Sequence, residues 1–176
     1  MRRIIVFAIL VMLMLPASLL FSSQYNLVAE LFKWTSGCGW CTSAQVGLTE
    51  LYNNHPNVIP IGLYTSGSLN TPFASQRDNF YGVGGVPHCQ FGGEYSQVGG
   101  SASGSTYNQY LTVYNNYINY ESPLEITMGF GISGTQAMIQ AMVLQTEDIT
   151  DTDLSIYYVI TVHDGDGSHN YRSVIA

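Results

Sequence analysis

Apolar and polar residues change their spacing near position 120, and the change divides the chain into two differently built parts. Leu27 to Phe32 is a short apolar run with no helical period, which predicts a buried strand. Ala44, Leu48, Leu51 and Tyr52 then recur at helical spacing, and Asn53, Asn54 and Pro56 supply a left-handed stop with a proline beyond it. Val58 to Tyr64 is a second strand, in which Pro60 removes a backbone donor and predicts an edge position or a strand that begins there. Thr71-Pro72 opens a second helix, with Phe73, Arg77, Phe80 and Tyr81 along one face. His88 to Phe91 and Glu94 to Val98 flank Gly92-Gly93, the signature of a two-residue hairpin turn. After the Gly/Ser-rich stretch Gly99 to Ser105, Thr106 and Gln109 stand in capping-box register, and Tyr107, Tyr110, Leu111, Tyr114, Tyr117 and Ile118 form a buried helical stripe. The predicted order is β-α-β-α-β-β-α.

From Pro123 the pattern becomes strict alternation. Leu124, Ile126, Met128, Phe130 and Ile132 share one face, as do Leu154, Ile156, Tyr158, Ile160 and Val162, so both runs predict half-buried strands. Met138 to Leu144 and Tyr171 to Ile175 are further strands, separated by acidic turns at Glu147 to Asp153 and Asp164 to Asn170. Four strands are too few for an ordinary sandwich of about seven. The unit is therefore incomplete, as the end at Ala176 suggests, or covered by the first domain or a partner.

The N-terminus precedes both parts. Arg2 and Arg3 lead into the uncharged run Ile4 to Leu15, followed by Pro16, Ala17 and Ser18, which is the layout of a secretory signal. Residues 1–23 are assigned to it, with the mature chain starting between Ser18 and Gln24. The alternative is an uncleaved anchor, because Ile4 to Phe21 is near the shortest span that crosses a bilayer. Either version places the rest outside the cytosol: periplasmic, extracellular or at the cell surface. Residues 24–121 then form the α/β domain and 122–176 the partial all-β, sandwich-like unit.

Composition narrows the function. Hydrophobic residues make up 46% of the 176 and charged residues 10%, which excludes a coiled coil or a solvating disordered tail. With the signal removed, 12 acidic residues face Lys33, Arg77 and Arg172, so nucleic acid is not expected as a partner. The tyrosines from Tyr107 to Tyr120 fall at core spacing with no basic residues beside them, unlike a base-stacking platform.

In an exported chain, Cys38, Cys41 and Cys89 sit where disulfides persist. A link between Cys38 and Cys41 closes too short a loop to remove much chain entropy, and a pair spaced that way more often does chemistry. Cys38 falls where a helix begins, where unpaired amides and the positive end of the helix dipole lower a thiol pKa from roughly 8.5 toward neutrality. It is the candidate nucleophile. Cys41, one turn deeper on the same face, is the candidate resolving thiol, able to attack a mixed disulfide on Cys38.

Together, a first strand, Cys38-Gly39-Trp40-Cys41 opening a helix, and Gly85-Val86-Pro87 before a hairpin resemble the thioredoxin superfamily over about residues 25 to 120. With the β unit that follows, the chain is similar to secreted thioredoxin-like proteins whose redox domain is joined to a β-sandwich module. The resemblance implies a central mixed sheet flanked by helices and a cis Val86–Pro87 bond beside the cysteine pair. It also implies a Val86 backbone available to an extended substrate, with Trp40 at the substrate surface. Gly37 stands where many members carry an aromatic residue, and the Gly39-Trp40 dipeptide brings no charge or imidazole to the thiolate. Glu30, the acid of the first strand, is a candidate proton relay, or else an ordinary strand-end carboxylate.

The function expected is a thiol:disulfide oxidoreductase acting on protein thiols or disulfides. It needs a redox partner for recycling and no cofactor, and it meets a membrane only through an uncleaved N-terminus. The alternative is a secreted or surface binding module on the same scaffold with a redox-inert disulfide. His88 and Cys89 could add soft metal ligands to the pair, but alternation puts them on opposite strand faces, so no metal site is assigned and Cys89 reads as a small buried hydrophobe. Asp164-Gly165-Asp166-Gly167-Ser168 resembles part of a calcium loop but lacks the later Glu and flanking helices, and reads as a turn.

Overall fold

A computed structural model describes residues 26–120, 122–150, 154–163 and 171–174. The signal segment 1–23, the Asp164 to Asn170 turn with its calcium-like sequence, the end of the Glu147 to Asp153 turn, and Ile175 lie outside the described residues. Within the first part the element order is the one expected: β1 (Leu27–Trp34), α1 (Cys41–Asn54), β2 (Val58–Ser66), α2 (Pro72–Tyr81), β3 (His88–Phe91), β4 (Tyr95–Val98) and α3 (Tyr107–Tyr117). The strands form one mixed sheet in the order β2-β1-β3-β4. β1 runs parallel to β2 and antiparallel to β3, and β3 pairs antiparallel with β4.

β2 is an edge strand, which accommodates the missing donor of Pro60. The β3–β4 turn uses Gly92 and Gly93, both at positive φ (57° and 81°), the backbone that a tight hairpin demands and a side chain resists. β1 alternates between two cores. Leu27, Ala29 and Leu31 face Ala44, Leu48 and Leu51 of α1 and Tyr110, Val113 and Tyr114 of α3. Phe32 faces the other way, against Ile61, Leu63, Phe73 and Ala74 under α2. Helices thus cover both faces of a sheet whose central strand ends at the cysteine loop.

Several local expectations fail for identifiable reasons. α1 ends without a left-handed residue: His55 is extended (φ −136°) and its amide returns to the Leu51 carbonyl, so the turn before Pro56 closes without that cap. Thr71 does cap α2, accepting from the Ala74 amide at 3.1 Å, but Phe80 on the expected apolar face is 71% exposed. Thr106 makes no capping bond to α3, because its hydroxyl donates to the Ser43 carbonyl instead, and Ser105 Oγ accepts the Tyr107 amide. Val113 joins the buried stripe of α3.

The second part contains β5 (Leu124–Ser133), β6 (Gln136–Gln145), β7 (Ile160–His163) and β8 (Tyr171–Val174). They form two separate antiparallel hairpins rather than one sheet. The run from Leu154 is extended into a strand only from Ile160 onward. Ile126, Met128, Phe130 and Ile132 are exposed, not half-buried, because among the described residues no second sheet lies over the β5–β6 face. From the stretch before β7, Val159 packs on the α2 core and the Tyr157 ring lies 5.6 Å from the Arg77 guanidinium.

Candidate functional site

The chain leaves β1 at Trp34, crosses Gly37 at φ 80°, and enters α1 at Cys41 with Trp40 as its first flanking residue. Cys38 therefore lies just ahead of the helix rather than within its first turn, and its carbonyl accepts the Cys41 amide at 3.3 Å. Cys38 and Cys41 form a disulfide with Cα atoms 5.4 Å apart. Their accessibilities differ: Cys38 is half-buried, whereas Cys41 is only 7% exposed. Cys38 is therefore the more accessible of the two residues. Trp34, at the end of β1, and Trp40, between the two cysteines, are both exposed.

A second loop is tied to the same helical turn. Ser43 Oγ donates to the Trp40 carbonyl and accepts the Ser101 amide at 3.0 Å, while the Ser43 carbonyl accepts both the amide and the hydroxyl of Thr106. Gly100 passes so close that a Cβ there would stand 2.6 Å from the Trp40 carbonyl. One residue earlier, the Gly99 amide donates to the Pro87 carbonyl at 2.8 Å. Loop residues 99–101 thus join the Pro87 corner to the start of the cysteine helix. The Val86–Pro87 bond is cis, Pro87 is buried and Val86 half-buried. The sequence singled out Cys38, Cys41, Trp40, Val86 and Pro87, but it missed Ser43 and Gly100, whose roles come from contacts more than 50 residues apart.

Beyond Pro87, His88 and Cys89 diverge as alternation requires. His88 pairs with Phe32 across the strands and packs edge-on to its ring, with Nε2 3.1 Å from Gln90 Oε1. Cys89 pairs with Leu31 and enters the opposite core, where burial pushes its thiol well above the ordinary range. Among the described residues no group of three or more His, Cys, Asp or Glu side chains is placed to hold a metal ion.

Glu30 points to the α2 side of the sheet. Arg77 grips it with Nε on Oε1 at 2.9 Å and Nη2 on Oε2 at 2.6 Å, and the Tyr81 hydroxyl donates to Oε2 at 2.9 Å. Arg77 Nη2 also contacts the Tyr81 oxygen. Burial lowers the Arg77 pKa, but the bond and charge of Glu30 outweigh it and hold the guanidinium above its usual value. Burial, reinforced by the Glu30 charge, pushes Tyr81 up to about 12. Tyr81 is protonated in folded and unfolded chains below about pH 10, and between there and 12 only the unfolded chain releases the proton. Its contribution is thus complete below pH 10 and lost as pH rises to 12. Urea melts from pH 9 to 12 should show falling stability, with a shallower decline in Tyr81→Phe.

No family model and no curated protein matches this chain. A crystal structure of an Agrobacterium tumefaciens protein is similar at 17% identity and a TM-score of 0.40, covering 64% of this chain and 54% of its own. The chain thus spans about half the length of that protein.

Proposed function

We propose that residues 24–121 form a thioredoxin-like domain, joined to a partial β-sandwich unit over 122–176, and that the exported chain is a thiol:disulfide oxidoreductase acting on protein thiols and disulfides. The mixed α/β sheet and the Cys38–Cys41 disulfide are consistent with a redox-related role. The observation that carries the reading is the asymmetry of the pair: a half-buried Cys38 ahead of α1, a buried Cys41 behind it, and the Pro87 corner tied to the same turn.

In the reduced protein, the Cys38 thiolate attacks a substrate disulfide, forming a mixed disulfide and releasing one substrate thiolate. Cys41 gives up its proton and attacks the Cys38 sulfur, which restores the Cys38–Cys41 disulfide and frees the second substrate sulfur as a thiolate. Two electrons pass from the pair to the substrate. A substrate dithiol run through the same steps in reverse passes them to the pair. Trp40 and Val86 are assigned to substrate contact. The exposed Trp40 ring offers apolar surface, and the Val86 backbone offers hydrogen bonds to an extended segment.

Alkylation of the reduced protein across pH tests this. Cys38 should titrate at least about one unit below the ordinary thiol value of roughly 8.5, and Cys41 above Cys38. Cys41→Ser should accumulate mixed disulfides that Cys38→Ser does not. If both thiols titrate near 8.5 and neither variant traps a partner, the pair is an inert crosslink and the chain a binding module.

A further inference from the structure

Lys33 is a charged side chain in an apolar position. It continues the Leu27, Ala29, Leu31 face of β1 and is only 3% exposed. Its Nζ donates to Gln45 Oε1 at 2.6 Å and lies 4.6 Å from the centre of the Tyr64 ring. Gln45 is one turn beyond Cys41, about 6 Å along the axis of α1, so the ammonium is held against the same helix that carries Cys41. The cavity beside it, lined in part by Gln45, Thr49 and Tyr52, measures about 20 Å³, room for little more than one water. A cation so enclosed acts through low-dielectric protein and is little screened by salt.

We propose that Lys33 is a positioning charge for the redox pair: it stabilises the Cys38 thiolate from beneath α1 and so makes the disulfide easier to reduce. The proposal rests on the redox reading above. Reduction of the pair takes up two electrons from a donor dithiol and leaves negative charge on Cys38, with Cys41 protonated. A fixed positive charge on the same side of the sheet favours that product. The titratable groups packed around Lys33 include Tyr52 on α1 and Tyr64 on β2; Cys89 on β3 shares the sheet face, and Glu30 and His88 face the other side. Gly39 and Trp40, between the two cysteines, bring no charge of their own.

The test compares the full chain with Lys33→Met, Lys33→Gln and Lys33→Arg, each checked for cooperative unfolding. The Cys38 pKa comes from alkylation, and the potential from equilibration with glutathione at pH 8. Either neutral variant should raise the Cys38 pKa by about one unit and, at pH 8, shift the equilibrium about three- to sixfold toward the disulfide, about 15–22 mV more negative. Lys33→Arg should stay near the parent, and the difference should persist from 50 to 500 mM salt. If the parent Cys38 is acidic and a folded neutral variant matches it, the lysine proposal fails and the redox reading stands. If the parent Cys38 titrates as an ordinary thiol, the redox reading itself fails and takes this proposal with it.

Discussion

Arg77→Met is expected to cost about 3–5 kcal/mol of folding stability, the usual penalty for leaving one partner of a buried ion pair behind. Glu30 lies on β1, an interior strand of the sheet, and the side chains of Glu30 and Arg77 are 6% and 16% exposed. Removing the guanidinium takes away two hydrogen bonds and the compensating charge while the carboxylate stays inside. Tyr81 alone cannot replace them. One control separates charge from packing. Glu30→Gln/Arg77→Met should recover much of the loss, because no charge is then orphaned. Urea unfolding measures it. A loss below about 1 kcal/mol would mean that the pair adds nothing beyond a surface bridge.

That pair also shows where reading the sequence stops. Glu30 could be placed on the first strand and given two possible roles, but Arg77 is 47 residues away, and no local pattern links them. The features that were legible are those whose physical cause sits in adjacent residues. Pro60 lacks a donor and lies on the edge strand; Thr71-Pro72 starts α2; Gly92-Gly93 permits the hairpin backbone. Alternation also separated His88 from Cys89 correctly. The same alternation held a signal that was passed over: Lys33 follows Leu27, Ala29 and Leu31 at period two, so its burial could have been read from the strand alone.

Local signals failed where a distant group competed for the same atom. Thr106 has the capping-box residue in the capping-box register, yet its hydroxyl is spent on the Ser43 carbonyl 63 residues away. The gain is at the site: Ser43 thereby fastens the loop that carries Gly99 and Gly100 to the turn that carries Trp40 and Cys41. In the β unit, alternation identified the strand of β5 but not its burial, since an apolar face shows that a strand can be covered without supplying the cover.

The closest approach in this arrangement yields the second large effect: Gly47→Ala should destabilise the protein by about 2–3 kcal/mol even though alanine is the better helix former. A Cβ on Gly47 would stand 2.3 Å from Thr106 Oγ1 and 2.7 Å from both the Thr106 carbonyl carbon and the Tyr107 amide nitrogen. The side-chain oxygen could rotate away, but two of the three atoms are backbone, so relief requires the start of α3 to move off α1. That movement would stretch the bonds from Thr106 to the Ser43 carbonyl. Gly129 in β5 meets nothing within 4 Å of an added Cβ, and Gly129→Ala should change stability by no more than about 0.5 kcal/mol. Comparing the two by urea unfolding distinguishes contact from composition. Equal, small effects would show that α1 and α3 slide apart freely, and that the loop over the cysteine turn is not held by their contact.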